Sequence, residues 1–309
     1  MEILLAILGI GVVASFIGGG GSSGGGGGPS ASGPTPTAEG TGAPDLLAGT
    51  PFDDAIYGRA GDDTITGDIG NDYLDGNADN DEVYGEIGDD TVLGGAGDDI
   101  LGGGTGLDFL RGGPGDDTLR GGADNDILEG GPDQDFLQGD GGDDTLKGGF
   151  GADYLTGNLG NDSMEGGPGD DTLVGIVWDT STTPDSDADG ADTLEGWAGA
   201  DEIVMGNGDH AWGEFATANA DGATDTFISG TWITGTPPVV HDYDPLTDQL
   251  VLYYEVAVNP APVVTVNTSL SGGVTTHDIL LDGVVLMQID AGTATYTINP
   301  ATDVQLMTL

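Results

Sequence analysis

Residues 112–120 read Gly112-Gly113-Pro114-Gly115-Asp116-Asp117-Thr118-Leu119-Arg120, and this nine-residue unit recurs without a gap across residues 49–174. Its sixth position is Asp in fourteen of fourteen units, and its first position is Gly in all fourteen. The eighth position is always an aliphatic side chain, counting Met164 among them. A period this strict is typical of a solenoid, in which one short unit stacks on copies of itself.

Each part of the unit has a conformational role. The glycines permit positive φ and close approach of neighbouring backbone, so the first six residues predict a tight turn. The last three residues predict a short strand whose side chains point outward, inward and outward, so only the aliphatic residue enters the core. We therefore expect an all-β chain, with a parallel β-roll over residues 45–213 and a β-rich cap over residues 214–309.

The recurring Asp residues predict a cation site. Carboxylates stacked at the strand spacing of about 4.8 Å repel one another and need neutralisation. Calcium suits the site because it takes six to eight oxygen ligands and mixes carboxylates with backbone carbonyls, which glycine-rich turns expose. Magnesium is disfavoured by its strict octahedral geometry, and zinc by the absence of Cys and the presence of only three His. The candidate ligands are Asp54, Asp63, Asp72, Asp81, Asp90, Asp99, Asp108, Asp117, Asp126, Asp135, Asp144, Asp153, Asp162, Asp171, Asp192 and Asp201.

The repeat G-G-x-G-x-D-x-U-x over residues 49–174 resembles the nonapeptides of the RTX (repeats-in-toxin) family, also called hemolysin-type repeats. The resemblance implies a right-handed roll with two nonapeptides in each turn, and several calcium ions between one turn and the turn two repeats later. It also implies secretion through the type I export machinery. Residues 242–252 resemble a segment that follows the repeats in many secreted members, so the cap is expected to carry the export signal.

The repeat departs from its pattern at both ends. Phe52 replaces the fourth-position Gly of the first unit, so we expect a cap with a poor site there. Residues 175–186 read as a degenerate repeat and a small insertion, after which Asp192 and Asp201 restore the phase. Counting onward in nines puts His210 at the ligand position and Trp212 at the core position of residues 205–213, which we interpret as the end of the roll.

The two ends of the chain differ from the repeats in composition. Residues 1–17 contain an uncharged apolar run from Ile3 to Ile17, which predicts a membrane anchor, a cleaved atypical signal or a simple hydrophobic leader. Residues 18–44 are rich in Gly, Ser, Pro and Thr and predict a flexible linker. In the cap, alternation predicts strands at Thr226–Ser229, Gln249–Glu255, Val263–Val266, Asp278–Leu281, Val284–Ile289 and Thr293–Ile298.

Charge and motifs exclude several functions. The chain has 54 acidic and 4 basic residues, a formal net charge of −50, which repels nucleic acid and anionic lipid. It has no H-E-x-x-H or G-x-S-x-G motif, so we expect no enzymatic activity. No disulfide framework is possible without Cys, and calcium takes the stapling role.

These observations predict a secreted, extracellular, non-enzymatic calcium-binding protein that folds on extracellular calcium. Metal-binding energy would then be folding energy, and the repeats would be unfolded or loosely collapsed without calcium. The alternative is a cell-surface adhesin or matrix protein that presents the roll as a binding face. Its partners would be surface glycans, with residues 3–17 as a membrane tether.

Overall fold

The fold is described from a computed structural model over residues 37–176, 190–213, 223–230, 233, 236–241, 243–244, 248–254, 262–271, 274–292, 298, 300 and 303–308. These residues contain strands and turns but no helix, so within them no helix could cross a membrane. The apolar segment 1–17, most of the predicted linker and most of the degenerate repeat at 175–186 lie outside the described residues.

Numbered in chain order, the strands alternate between two sheets until the cap, where three consecutive strands join the same sheet. In the part of the chain that the structure describes, sheet A has fourteen strands. Their order is β1 (Ala38–Glu39), β3 (Ala55–Ala60), β5 (Tyr73–Ala78), β7 (Thr91–Ala96), β9 (Phe109–Arg111), β11 (Ile127–Pro132), β13 (Thr145–Phe150), β15 (Ser163–Pro168), β17 (Thr193–Ala198), β19 (His210–Trp212), β21 (Val239–Val240), β25 (Val284–Gly292), β24 (Val274–Leu281) and β23 (Val264–Ser271).

Sheet B has twelve strands in the described residues. Their order is β2 (Leu46–Ala48), β4 (Thr64–Ile69), β6 (Glu82–Ile87), β8 (Ile100–Thr105), β10 (Thr118–Ala123), β12 (Phe136–Gly141), β14 (Tyr154–Leu159), β16 (Thr172–Gly175), β18 (Glu202–Met205), β20 (Thr226–Gly230), β22 (Gln249–Tyr254) and β26 (Val304–Thr308).

The pairing is parallel and its register equals two repeats. In sheet B, Leu119 pairs with Leu101 on one side and with Leu137 on the other, each 18 residues away. In sheet A, Leu128 pairs in the same way with Leu110 and Leu146. Consecutive units therefore alternate between the sheets, and each pair of units completes one turn of the roll. The predicted parallel β-roll is confirmed.

The core is a double file of eighth-position side chains between the sheets. From Ile56 to Leu173 all fourteen are buried, with 1% or less of the side chain exposed. The neighbouring seventh and ninth positions face outward, as strand alternation requires. The file continues into the cap through larger side chains such as Phe227 and Leu250.

Parallel pairing extends beyond both predicted boundaries of the roll. At the amino end, β1 pairs with β3, although residues 38–39 were predicted to belong to the linker. At the carboxyl end, β20, β22 and β26 continue sheet B in parallel past residue 213. Among the strands that the structure describes, only β23, β24 and β25 form antiparallel pairs. The roll was predicted to end where its sequence period ends, but hydrogen bonding between strands needs only matching backbone.

The interpretation of residues 205–213 is wrong by one residue. His210 pairs with Thr193, a seventh-position residue, and Ala211 pairs with the core residue Leu194. Ala211 is fully buried, whereas Trp212 lies at the partly exposed ninth position. The unit is one residue shorter than nine, so Asp209 occupies the position that counting assigned to His210. Because strand side chains alternate, a slip of one residue exchanges the inner and outer faces.

A pair of leucine truncations tests the assignment of the core. Leu110→Ala removes a fully buried side chain and should destabilise the calcium-loaded protein by about 2–5 kcal/mol, through lost transfer energy and a residual cavity. Leu107→Ala deletes the same atoms three residues earlier, where 60% of the side chain is exposed, and should cost less than about 1 kcal/mol. Denaturant unfolding at saturating calcium measures both variants. Equal losses of stability would contradict the core assignment.

Candidate metal centre

All sixteen Asp residues predicted as ligands are buried inside the turns, with between 1% and 6% of the residue exposed. From Asp63 onward they form what we call the inner row, which comprises the sixth-position residues Asp63 to Asp171 together with Asp192 and Asp201. Because short strands flank every turn, each Asp occupies the same position within its turn. The sequence therefore brings these carboxylates together as two files along the roll, one for each sheet.

Three of the four polar groups of an inner-row Asp have partners within the protein. The backbone N–H of Asp117 donates to Oδ1 of Asp135 at 2.8 Å, and the backbone carbonyl of Asp117 accepts from the N–H of Phe136 at 2.8 Å. Oδ1 of Asp117 accepts from the N–H of Asp99 at 2.8 Å. The same pattern spans the 30-residue interval from Asp171 to Asp201. Each inner-row Asp thus fixes the backbone of the preceding turn through the hydrogen bond that its Oδ1 accepts.

Along most of the inner row the fourth group, Oδ2, is buried and has no hydrogen-bond partner among the described residues. This holds for Asp63, Asp72, Asp81, Asp90, Asp99, Asp108, Asp117, Asp126, Asp135, Asp144, Asp153, Asp171 and Asp201. A buried carboxylate oxygen with no donor carries a large desolvation cost. Repeated on turn after turn, this geometry indicates that a cation belongs beside Oδ2.

The first-position glycines open a space at the same atom. A Cβ on Gly121 would lie 2.5 Å from Oδ2 of Asp126 and 2.9 Å from the backbone carbonyl of Gly139, one turn further along. Gly58 has the same surroundings, with Oδ2 of Asp63 and the carbonyl of Gly76. Carboxylate and carbonyl oxygens therefore face a common gap that only glycine leaves open. These are hard oxygen donors of the kind calcium takes, so the residues fit the ion that the sequence predicts.

Side chains alone do not form this site. No group of three acidic or histidine side chains within the described ranges could hold a metal. The remaining ligands of each ion would have to be backbone carbonyls, as the sequence analysis expected from the glycine-rich turns. This requirement explains why the turns are so strictly shaped.

Positive φ marks the second and fourth positions of the turn. Glycines there adopt it, as at Gly113 (118°) and Gly115 (134°), and so do the residues that replace glycine, such as Asn77 (79°) and Asp124 (77°). Asn and Asp tolerate this left-handed region better than most residues. The first-position glycines have no positive φ and are required for space instead.

Burial and mutual repulsion raise the pKa of the inner row. Burial, reinforced by the charges of Asp117 and Asp153, raises the pKa of Asp135 to about 8, although the N–H of Asp117 acts in the opposite direction. The same causes raise the pKa of Asp117 to about 7 and that of Asp201 to about 8. Without a cation these carboxylates therefore resist ionisation at neutral pH.

The terminal sites differ from the interior ones. Oδ2 of Asp54 accepts from the backbone N–H of Thr50 at 2.5 Å and from its hydroxyl at 2.8 Å. Oδ2 of Asp45 is bonded in the same way by Thr41. These carboxylates already have donors where most of the inner row has none, and the first unit remains predicted to hold a poor site.

Four members of the two Asp files were not predicted, although Asp45 lies nine residues before Asp54 and is in phase with it. Asp45 begins one file by donating its N–H to Oδ1 of Asp63 at 2.7 Å. Asp209, Asp225 and Asp248 extend the files into the cap, accepting from Asp192 at 2.9 Å, Asp201 at 3.1 Å and Asp225 at 3.4 Å. The intervals of 17, 24 and 23 residues break the period, so only the local Gly and Asp pattern could have indicated them.

A second file of side chains was also missed. Asp or Asn occupies the fifth position in eleven of the fourteen units. Their Oδ1 atoms accept from the backbone N–H of the fifth residue one turn later, as Asp98 does from Asp116 at 3.1 Å and Asn125 from Asp143 at 3.0 Å. We call this exposed file the outer row. Its hydrogen bonds run opposite to those of the inner row, so the two rows lock each turn from both directions.

A comparison with protein families agrees with the geometry. Residues 39–74, 66–101, 102–137, 138–173 and 187–209 match the family model of the RTX calcium-binding nonapeptide repeat. The chain belongs to this family. The repeats of this family bind calcium, the ion whose preference for oxygen ligands the inner row fits. No curated protein matches the chain as a whole.

Two glycines on β12 of this RTX roll test whether the gap beside Oδ2, which we call the cradle, must stay open. In Gly139→Ala the new Cβ would lie 2.3 Å from Oδ2 of Asp144, so the calcium concentration needed for folding should rise several-fold and stability should fall by about 1–3 kcal/mol. Gly141→Ala is the control, because its Cβ would meet only one atom, at 3.9 Å. Calcium titration followed by circular dichroism measures both, and equal midpoints would contradict the cradle.

The raised pKa values predict how the calcium-free protein responds to pH. Between pH 4 and pH 8 the folded inner row binds more protons than the unfolded chain, so stability is greatest at low pH and is lost as pH rises through about 6–8. Chelated protein should therefore gain β structure in circular dichroism on acidification from pH 8 to pH 5. Calcium-saturated protein should change little above pH 6. A flat profile for chelated protein would contradict burial of ionisable carboxylates.

Proposed function

We propose that the protein is a secreted, non-enzymatic RTX protein whose roll folds when it meets extracellular calcium. The observation that carries this proposal is the row of buried Oδ2 atoms without donors. In the absence of calcium the roll must bury a file of like charges or protonate it, and both are unfavourable at neutral pH. With calcium bound, the same oxygens become ligands and neighbouring turns are joined.

The calcium ligands proposed are the sixteen Asp residues predicted from the sequence, with Asp54 the weakest because its Oδ2 already has donors. The glycine carbonyls at the same gaps, such as that of Gly139, would supply further oxygens. What calcium supplies here is charge neutralisation and a bridge between turns. The ordered ladder on both sides of each site would make folding cooperative along the roll.

The proposed site of action is outside the cell. Sites of extracellular type have dissociation constants on the order of 10⁻⁴–10⁻³ M, so they stay empty at cytosolic calcium and the chain would remain in an exportable state. Export by a type I system, with the signal in residues 214–309, is the route that the family resemblance favours. A chain with a net charge of −50 also stays soluble while unfolded.

Charge-removing variants test the ligand assignment. Asp117→Asn combined with Asp135→Asn keeps oxygens that accept the N–H groups of Asp99 and Asp117, but removes two charges beside the proposed ion. Calcium-induced folding should therefore require several-fold more calcium. The chelated variant should be no less structured than the parent, because the buried charges have gone.

The matched control removes two charges from the outer row. Asp98→Asn combined with Asp116→Asn changes exposed carboxylates and keeps the oxygens that accept N–H groups in that row. Its calcium midpoint, measured by circular dichroism and calorimetry, should stay close to that of the parent. The ligand assignment fails if the inner and outer variants shift the midpoint equally.

A further inference from the structure

The outer face of sheet B carries an open groove of about 880 Å³. Its floor is glycine-rich backbone, Gly102–Gly104 and Gly122, where neighbouring strands have no side chains to cover the sheet. Tyr84 bounds it on one side, and Arg120 and Asp140 lie on the other. Bare backbone flanked by larger side chains makes a shallow trough that runs across several strands and is open to solvent.

The groove carries few charges for so acidic a protein, and its charged lining residues are Glu86, Arg120 and Asp140. Strands β8, β10, β12, β14 and β16 contain only two charged residues, Arg120 and Asp140, and these form an ion pair with each other. Glu86 of β6 adds one further carboxylate to the lining, and most other acidic residues of these repeats lie in the turns. The flanking turns repel anions and a second copy of the chain alike, and the paired Arg120 and Asp140 offer both signs of charge, so an uncharged polar ligand suits this face.

The side chains around the groove suit a ligand with apolar faces and many hydroxyl groups. Phe136 and Tyr154 stack at 5.2 Å between ring centroids with an interplanar angle of 3°, and both remain more than one third exposed. With Tyr84 they offer aromatic faces to apolar surface. The guanidinium of Arg120 and the carboxylate of Asp140 offer several donors and acceptors for hydroxyl groups.

We propose that this groove binds a neutral oligosaccharide or polysaccharide chain. Sugar rings combine apolar C–H faces with hydroxyl edges, and a trough open to solvent admits a chain without enclosing its ends. The proposal rests on the calcium-stabilised fold proposed above and gives a binding site to the adhesive alternative. It concerns the outer face of the sheet, although Gly103 and Gly121 in the groove lining also border the gaps beside Oδ2 of Asp108 and Asp126.

The chain provides a groove-filling variant with a matched control. Gly141 lines the groove and has no positive φ, and a Cβ there would meet only the backbone carbonyl of Gly122, at 3.9 Å. Gly141→Leu therefore places four carbons in the trough without strain. Gly42→Leu adds the same side chain where nothing lies within 4 Å of the Cβ and far from the groove along the roll.

The experiment uses the full chain at saturating calcium, with circular dichroism confirming the fold of each variant. The probes are immobilised neutral hexasaccharides (cellohexaose, maltohexaose, mannohexaose and chitohexaose) and an anionic oligoguluronate. We expect binding of at least one neutral probe, at least a tenfold loss in Gly141→Leu, no loss in Gly42→Leu, and no binding of the anionic probe.

Three results would overturn the proposal. One is folded protein that binds none of the neutral probes at millimolar concentrations. Another is sugar binding that Gly141→Leu leaves unchanged. The third is concentration-dependent self-association that Gly141→Leu abolishes, which would make the face an interface between copies. Failure of calcium-induced folding would appear separately in circular dichroism and would count against the proposed function.

Discussion

The whole structure depends on the cost of burying like-charged carboxylates at strand spacing. Two unit charges about 4.8 Å apart repel by roughly 3 kcal/mol at an effective dielectric constant of 20, and each inner-row Asp has such a neighbour above and below it. Apolar burial offsets little of this cost, because each unit places a single side chain in the core. Under the proposed function, stability would therefore come from a cation in the space beside Oδ2, and RTX membership supports calcium as that cation.

Other features of the repeat follow from this constraint. The first glycine is needed because a Cβ would fill the gap between carboxylate and carbonyl, and the second and fourth positions set the left-handed turn that presents those carbonyls. Oδ1 is not free to bind metal alone, since it also fixes the backbone of the preceding turn. The outer row holds the same turns from the solvent side with reversed hydrogen bonds. Sequence identity is strict where several of these demands coincide, as at Gly112 and Asp117.

Much of this could be predicted from the sequence because the period is strict. The roll and its eighth-position core followed from residues 49–174, where position in the unit determines environment, whereas the burial of the Asp residues was not predicted. Prediction failed where the number of residues between successive Asp residues changed. One missing residue before Asp209 exchanged the inner and outer faces around His210, and the longer intervals before Asp225 and Asp248 hid their places in the file. In the cap, the predicted strands near Thr226, Gln249, Val263, Asp278 and Val284 are present, and Thr293–Ile298 lies mostly outside the described residues.

The outer row shows a different limit. Its Asp and Asn were visible in the sequence, but exposed acidic residues are usually only solvated, and the direction of their hydrogen bonds depends on how turns stack. The groove on sheet B depends likewise on which glycines become neighbours across strands 18 residues apart. Features that arise from juxtaposition between turns need the structure, whereas features within one unit do not.

The central claim is that cation binding at the inner row supplies the folding energy of the roll. Far-UV circular dichroism of the full chain at pH 8, titrated from chelator with calcium and separately with magnesium, tests it most directly. The account predicts a weak β signal in chelator, a cooperative gain with calcium, and little response to magnesium at the same concentrations. A full β signal in chelator that calcium leaves unchanged would contradict it.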